Sequence, residues 1–182
     1  MALGATIFKA ALSVADMDRG HYAEHALVIA RHPSETDERM MVRLAAFALD
    51  ANDALEFGKG LSSEDEPALW RKDLTGAIEL WIETGLPDEK AVRKACGRAA
   101  AVKVYAYGRG AAVWWQHNAD ALARPDNLSV YELPAAATQA LAKLAQRTMQ
   151  LQCTVQDGTA WITDGSSTVE ITPALLSAAR KG

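Results

Sequence analysis

Apolar and polar residues alternate from Thr6 to Val14, with Thr6, Phe8, Ala10, Leu12 and Val14 on one side. A period of two predicts a half-buried strand. Residues 22–29 repeat the pattern, Leu27 and Ile29 standing opposite Ala26 and Val28. The link Asp16-Met-Asp-Arg-Gly20 has turn chemistry, so the two segments read as a hairpin. After Pro33 the period changes. Met40, Met41, Leu44, Phe47 and Ala48 make a helical stripe and predict a helix over 34–50. Ser34 is its expected N-cap, with Asp37 three residues on in a capping-box-like start. Short strands follow near 54–57 and 68–71, separated by an acidic loop from Leu61 to Pro67.

The middle of the chain alternates between strand and helix. An apolar strand over 77–83 leads to a helix with Pro87 at its first position and Asp88 and Glu89 in its first turn, where acids favour the helix dipole. A strand at 101–107, a helix at 111–123, a strand at 128–133 and a helix at 135–147 complete the series. The β-α-β-α-β order predicts a parallel sheet with right-handed crossovers. Beyond it, Met149 to Gln156 alternates, Asp157-Gly158 is a hairpin signal, and strands continue over 159–163 and 168–172. Ala174 to Lys181 reads as a short helix. The expected architecture is one α/β domain over 1–182. A mixed-sheet core spans roughly 33–133, flanked by an antiparallel sheet from strands 3–30 and 149–172.

Composition narrows the function classes. The chain has 182 residues, of which 49% are hydrophobic and 23% charged, as expected for a globular fold. Its net charge of −4 offers no global attraction to nucleic acid, so any such contact needs a local basic face. Cys96 and Cys153 fall in helical and strand patterns and suggest no disulfide framework. No run of about 18 apolar residues predicts a membrane span, and the first residues lack a signal-peptide pattern. A cytoplasmic setting is therefore expected. His21, His25, His32 and His117 show no metal-ligand spacing. His21 and His25 share a strand face but are four residues apart, too far for one ion, so zinc is not expected. Trp114-Trp115 is the most conspicuous aromatic feature, read as packing in the main. No glycine-rich phosphate loop or organic-cofactor motif occurs.

The chemistry concentrates between Ala77 and Lys94. An apolar strand rarely keeps carboxylates unless a cation meets them, because a buried unpaired charge costs several kcal/mol. Glu79, Trp81 and Glu83 face one side of the strand, and Ile78, Leu80 and Ile82 the other. Glu79 and Glu83 lie roughly 13 Å apart along it, too far to share one ion. A second acid must come from elsewhere: Asp73 across the preceding turn, or Asp65 and Glu66 in the acidic loop. A few carboxylate oxygens with water suit Mg²⁺ or Mn²⁺.

Arg31-His-Pro-Ser-Glu-Thr36, Asp65-Glu-Pro67, Leu80-Trp-Ile-Glu-Thr-Gly85 and Lys94-Ala95 together resemble the YaeQ family of bacterial proteins, over nearly the full length. That family is similar in fold to the PD-(D/E)XK, or restriction-endonuclease-like, nucleases. The resemblance implies a metal-dependent nuclease, or a relic of one that binds nucleic acid or a protein partner without catalysis. It places Glu83 at the glutamate of the E-x-K motif, Asp73 as first acid with Glu79 and Glu66 as alternatives, and Glu35 or Glu38 as an acid on the first helix. The position two after Glu83 is Gly85, where the motif has lysine. Lys94, on the next helix, is the expected replacement, with Lys90 behind it.

Overall fold

The computed structural model describes residues 4–59 and 65–180. Residues 61–64 of the acidic loop lie outside them. The elements run β1 (Thr6–Asp16), β2 (His21–Arg31), α1 (Asp37–Leu49), β3 (Leu55–Phe57), β4 (Leu69–Lys72), β5 (Ile78–Thr84), α2 (Glu89–Cys96), β6 (Ala99–Ala106), α3 (Ala111–Leu122), β7 (Leu128–Glu132), α4 (Ala135–Ala142), β8 (Thr148–Gln156), β9 (Thr159–Thr163), β10 (Thr168–Ile171) and β11 (Ala174–Ser177). They form two sheets, ordered β10-β9-β8-β1-β2 and β11-β7-β6-β5-β4-β3. Strands β5, β6 and β7 are parallel, as their helical crossovers require. Strands β3, β4 and β5 form an antiparallel meander.

Both sheets contribute to a common apolar layer. Phe8, Leu12 and Ile29 from the first sheet, Leu69, Leu80 and Ile82 from the second, and the buried residues of α1 and α4 belong to one cluster. Met40 to Ala48 are all buried, as suits a helix enclosed on every side. The other face of the second sheet is covered by α2 and α3, where Trp81, Val92, Val102, Leu122 and Val130 pack together.

Five expectations need correction. The terminal sheet is mixed rather than antiparallel, because β1 pairs with β8 in parallel. Alternation fixes which face a residue takes, and says nothing of strand direction. Residues 174–177 form β11 on the free edge of β7 rather than a helix. So short a segment cannot nucleate a stable helix, whereas an open edge supplies ready partners. Helix α4 ends at Ala142, well before Arg147, as Lys143, Leu144 and Ala145 tighten into i→i−3 bonds. The cap of α1 is Thr36, whose hydroxyl accepts from the Arg39 N–H at 3.1 Å. Ser34 instead contacts His32 Nδ1, inside the turn that aims Glu35 inward. Likewise Pro87 stands one residue before Asp88, the actual cap of α2.

Candidate functional site

Strand β5 is buried continuously from Leu80 to Thr84, since helices cover both its faces. Glu83 is only 7% exposed at its C-terminal end. It lies on the α2 side with Trp81, whose indole Nε1–H donates to Glu83 Oε1 at 2.9 Å. The Arg98 guanidinium sits 5.0 Å over the Trp81 ring. Helix α2 buries Val92 and Ala95 and leaves Lys94 exposed in its last turn. The antiparallel pair Leu69↔Ile82 opens β4 opposite the C-terminal part of β5, and just before it Glu66 Oε1 accepts from Lys59 N at 2.9 Å, on the β3 side. Asp65 and Glu66 therefore enter β4 at Glu83's end of the sheet. Next to Glu83, Thr84 keeps a buried Oγ1 with no hydrogen-bond partner among the described residues.

The other expected acids lie elsewhere. Asp73 belongs to the β4–β5 turn at the opposite end of β5, where its N–H donates to Ala77 O, roughly 20 Å from Glu83 by strand rise. Its Oδ1 accepts from Thr75 Oγ1 at 2.6 Å, Thr75 N at 2.8 Å and Ala77 N at 3.0 Å. Those bonds, the Thr75 hydroxyl first, hold its pKa below the ordinary value. Asp73 thus pins a turn. Glu79 is half exposed and faces Arg71 at 3.6 Å. Glu35 gives both oxygens to arginine: Arg43 at 2.7 and 2.9 Å, and Arg39 at 2.5 Å. Glu38 accepts from Thr138 Oγ1 at 2.9 Å and ties α1 to α4. These two glutamates lie beside the helix layer between the sheets, across the second sheet from Glu83's helical cover. Gly85 has φ +91°, and its N–H donates to Tyr105 O at 3.0 Å. A lysine there would have to adopt the left-handed conformation that glycine alone takes without strain.

Two clusters escaped the sequence reading. Asp50, at the end of α1, accepts from Lys103 Nζ at 2.5 Å and Tyr105 OH at 2.6 Å. Burial, then the neighbouring Asp50 charge, pushes the Tyr105 hydroxyl well above its ordinary pKa, so it stays a donor. A lysine and a tyrosine two apart in the apolar strand 101–107 were the available signal. The second cluster overturns the distance argument for the histidines. His21 and His25 bring their Nε2 atoms to 3.0 Å, with rings 19° from parallel, and Asp53 joins them from the α1–β3 connection. Burial first, then His21, lowers the His25 pKa, while Asp53 raises it. Side chains leaning together along a twisted strand closed a gap that the ideal rise made prohibitive.

Comparison with known proteins gives a uniform result. The family model described as "YaeQ protein" matches residues 1–173. An uncharacterised YaeQ protein of Salmonella typhi is 48% identical over 172 residues, covering 94% of this chain and 95% of the relative. The uncharacterised YaeQ of Escherichia coli K12 is 45% identical over the same share. The crystal structure of YaeQ from Xanthomonas axonopodis pv. citri superposes with a TM-score of 0.92 at 51% identity, covering 96% of this chain and 99% of that one. The YaeQ structure from Pseudomonas syringae gives 0.91 at 37% identity, over 97% and 98% of the two chains.

Proposed function

Since the chain belongs to the YaeQ family, we propose that it is a divalent-metal-dependent phosphodiesterase of nuclease type, acting at the C-terminal end of β5. The observation that carries this reading is the buried carboxylate of Glu83 at the end of an apolar strand, with Asp65 and Glu66 leading into β4 at the same end of the sheet. The element order α1-β3-β4-β5-α2-β6 supports it, because it follows the helix, meander, helix and strand that the resemblance to PD-(D/E)XK nucleases implies.

The donor set fits the ion. Carboxylate oxygens from Glu83 and from Asp65 or Glu66, with water, suit Mg²⁺ or Mn²⁺. The metal's contribution would be Lewis acidity toward a phosphoryl oxygen and an activated water. The chain's own residues do the rest. The Trp81 N–H donates to Glu83 Oε1 and orients the carboxylate. Lys94, or Arg98 beside Trp81, would neutralise charge that builds on the phosphoryl group. In this assignment Asp65 and Glu66 replace Asp73 as partners of Glu83, and Glu35 and Glu38 serve the fold.

A second reading rests on Gly85. Its backbone conformation excludes an unstrained lysine at the motif position, which favours a non-catalytic module that binds nucleic acid or a protein. Calorimetry separates the two. Mg²⁺ and Mn²⁺ are titrated into the wild type, Glu83→Ala and a Glu66→Gln/Asp65→Asn double variant, followed by cleavage assays on single- and double-stranded substrates. The catalytic reading expects binding that both variants lose, with cleavage lost in parallel. No binding to the wild type at millimolar metal would sink it and leave the binding module.

A further inference from the structure

We propose that His21, His25 and Asp53 form a second and separate metal site, built for a nitrogen-preferring divalent ion of the zinc type. One ligand atom from each residue lies within 4.8 Å of the others. Two neutral imidazoles and a carboxylate make a donor set that suits zinc and its neighbours far better than magnesium, which prefers oxygen alone. The two Nε2 atoms are 3.0 Å apart. With Zn–N bonds of about 2.05 Å that separation corresponds to an N–Zn–N angle of about 94°, and widening it by a few tenths of an ångström reaches the tetrahedral value.

The ligands are held before any ion arrives. His25 packs edge-on against the buried Phe47 ring of α1, with centroids 5.0 Å apart. The segment carrying Asp53 is pinned on both sides. Arg19 NH1 donates to Ala51 O at 2.9 Å while its Nε holds Asp16 at 2.7 Å, and the Asn52 carboxamide oxygen accepts from Ala54 N at 2.8 Å. This arrangement ties the β1–β2 turn, β2 and the α1–β3 connection around one point. His21 and His25 are half-buried and Asp53 is exposed, so an ion can enter from solvent and keep a fourth position for water or another ligand. Such an ion would clasp the terminal sheet to the end of α1. The site lies on a different sheet from Glu83 and does not depend on the nuclease reading.

Zinc is titrated into the full chain by calorimetry at neutral pH, beside magnesium, and into His21→Gln, Asp53→Asn and Glu83→Gln. Thermal melts without metal check that each variant folds. The expected result is one zinc per chain, weakened about hundredfold in His21→Gln and about tenfold in Asp53→Asn, at least the loss that removing an outer-shell partner causes at known sites. Glu83→Gln should keep the wild-type affinity within about twofold, and zinc should raise the melting temperature of the wild type but not of His21→Gln. Should His21→Gln fail to fold, the exposed Asp53→Asn carries the test. Absence of saturable zinc binding to the wild type would overturn the proposal and leave His21 and His25 as a plain N–H···N pair. Equal affinity in His21→Gln and Asp53→Asn, or loss of zinc in Glu83→Gln, would overturn it too, placing the ion elsewhere.

Discussion

The two sheets treat polar residues in opposite ways. In β8, Met149, Leu151, Cys153 and Val155 are buried while Gln150 and Gln152 between them are exposed. One face of that sheet meets water, so its glutamines need no protein partner. In β5, five residues in a row are buried, Glu83 among them. Between two layers of helices every polar group must find its own complement. Glu83 has the Trp81 indole, Asp50 has Lys103 and Tyr105, and Glu35 has Arg43 and Arg39. A charge on the wet sheet therefore says little, whereas one inside the covered layers is either structural or a binding group. The test between those roles is whether its oxygens are already fully engaged. Glu35 answers as structural, its two oxygens facing arginines.

Substitutions probe that contrast, beginning with the severest. Glu35→Ala strands the buried Arg43 guanidinium, and urea denaturation should show a loss of about 3–5 kcal/mol; a loss below about 1 kcal/mol would mean water already solvates the pair. Leu151→Ala, on the inner side of β8, should cost about 2–5 kcal/mol from lost burial and a residual cavity. For Trp81→Phe the aromatic packing mostly survives but the charge-assisted bond goes, at about 1.5–3 kcal/mol. A double-mutant cycle with Glu83→Gln should recover that coupling, and additivity would show the bond to be idle. Gly85→Lys restores a lysine two places after the acid at a strain of about 1–2 kcal/mol, visible as a lower melting temperature. Gln152→Ala, beside Leu151 but facing water, should stay within about 0.5 kcal/mol of the wild type. If its cost matched that of Leu151→Ala, the terminal sheet would be covered on both faces after all.

The parts legible in the sequence are those where local pattern and tertiary demand agree. The β1–β2 hairpin, the apolar stripe of α1 and the parallel trio β5, β6 and β7 all follow from periodicity and turn chemistry. Pattern is silent on partners remote in sequence, so the parallel pairing of β1 with β8 and the edge role of β11 could not be read. The site divides along the same line. Glu83 stood out because an acid in an apolar strand is conspicuous on its own. Which acids share Glu83's end of the sheet, Asp65 and Glu66 rather than Asp73, depends on strand register, which pattern alone does not give. His21 and His25 were dismissed on an ideal strand rise that ignores where long side chains lean. Asp53 was invisible for a related reason, since a surface loop aspartate is ordinary until its neighbours are known.

The parallel pairing of β1 with β8 also sets a timetable. Lys9 aligns with Thr148, so the first strand leaves the ribosome long before its neighbour exists. At about 5–20 residues per second, synthesis of the intervening stretch takes roughly 7–28 s. Throughout that interval the β1 edge of the hairpin waits for β8, and its apolar face is without the rest of its sheet. A nascent chain of this protein is consequently vulnerable from the moment the hairpin emerges, and synthesis of β8 closes the exposed β1 edge.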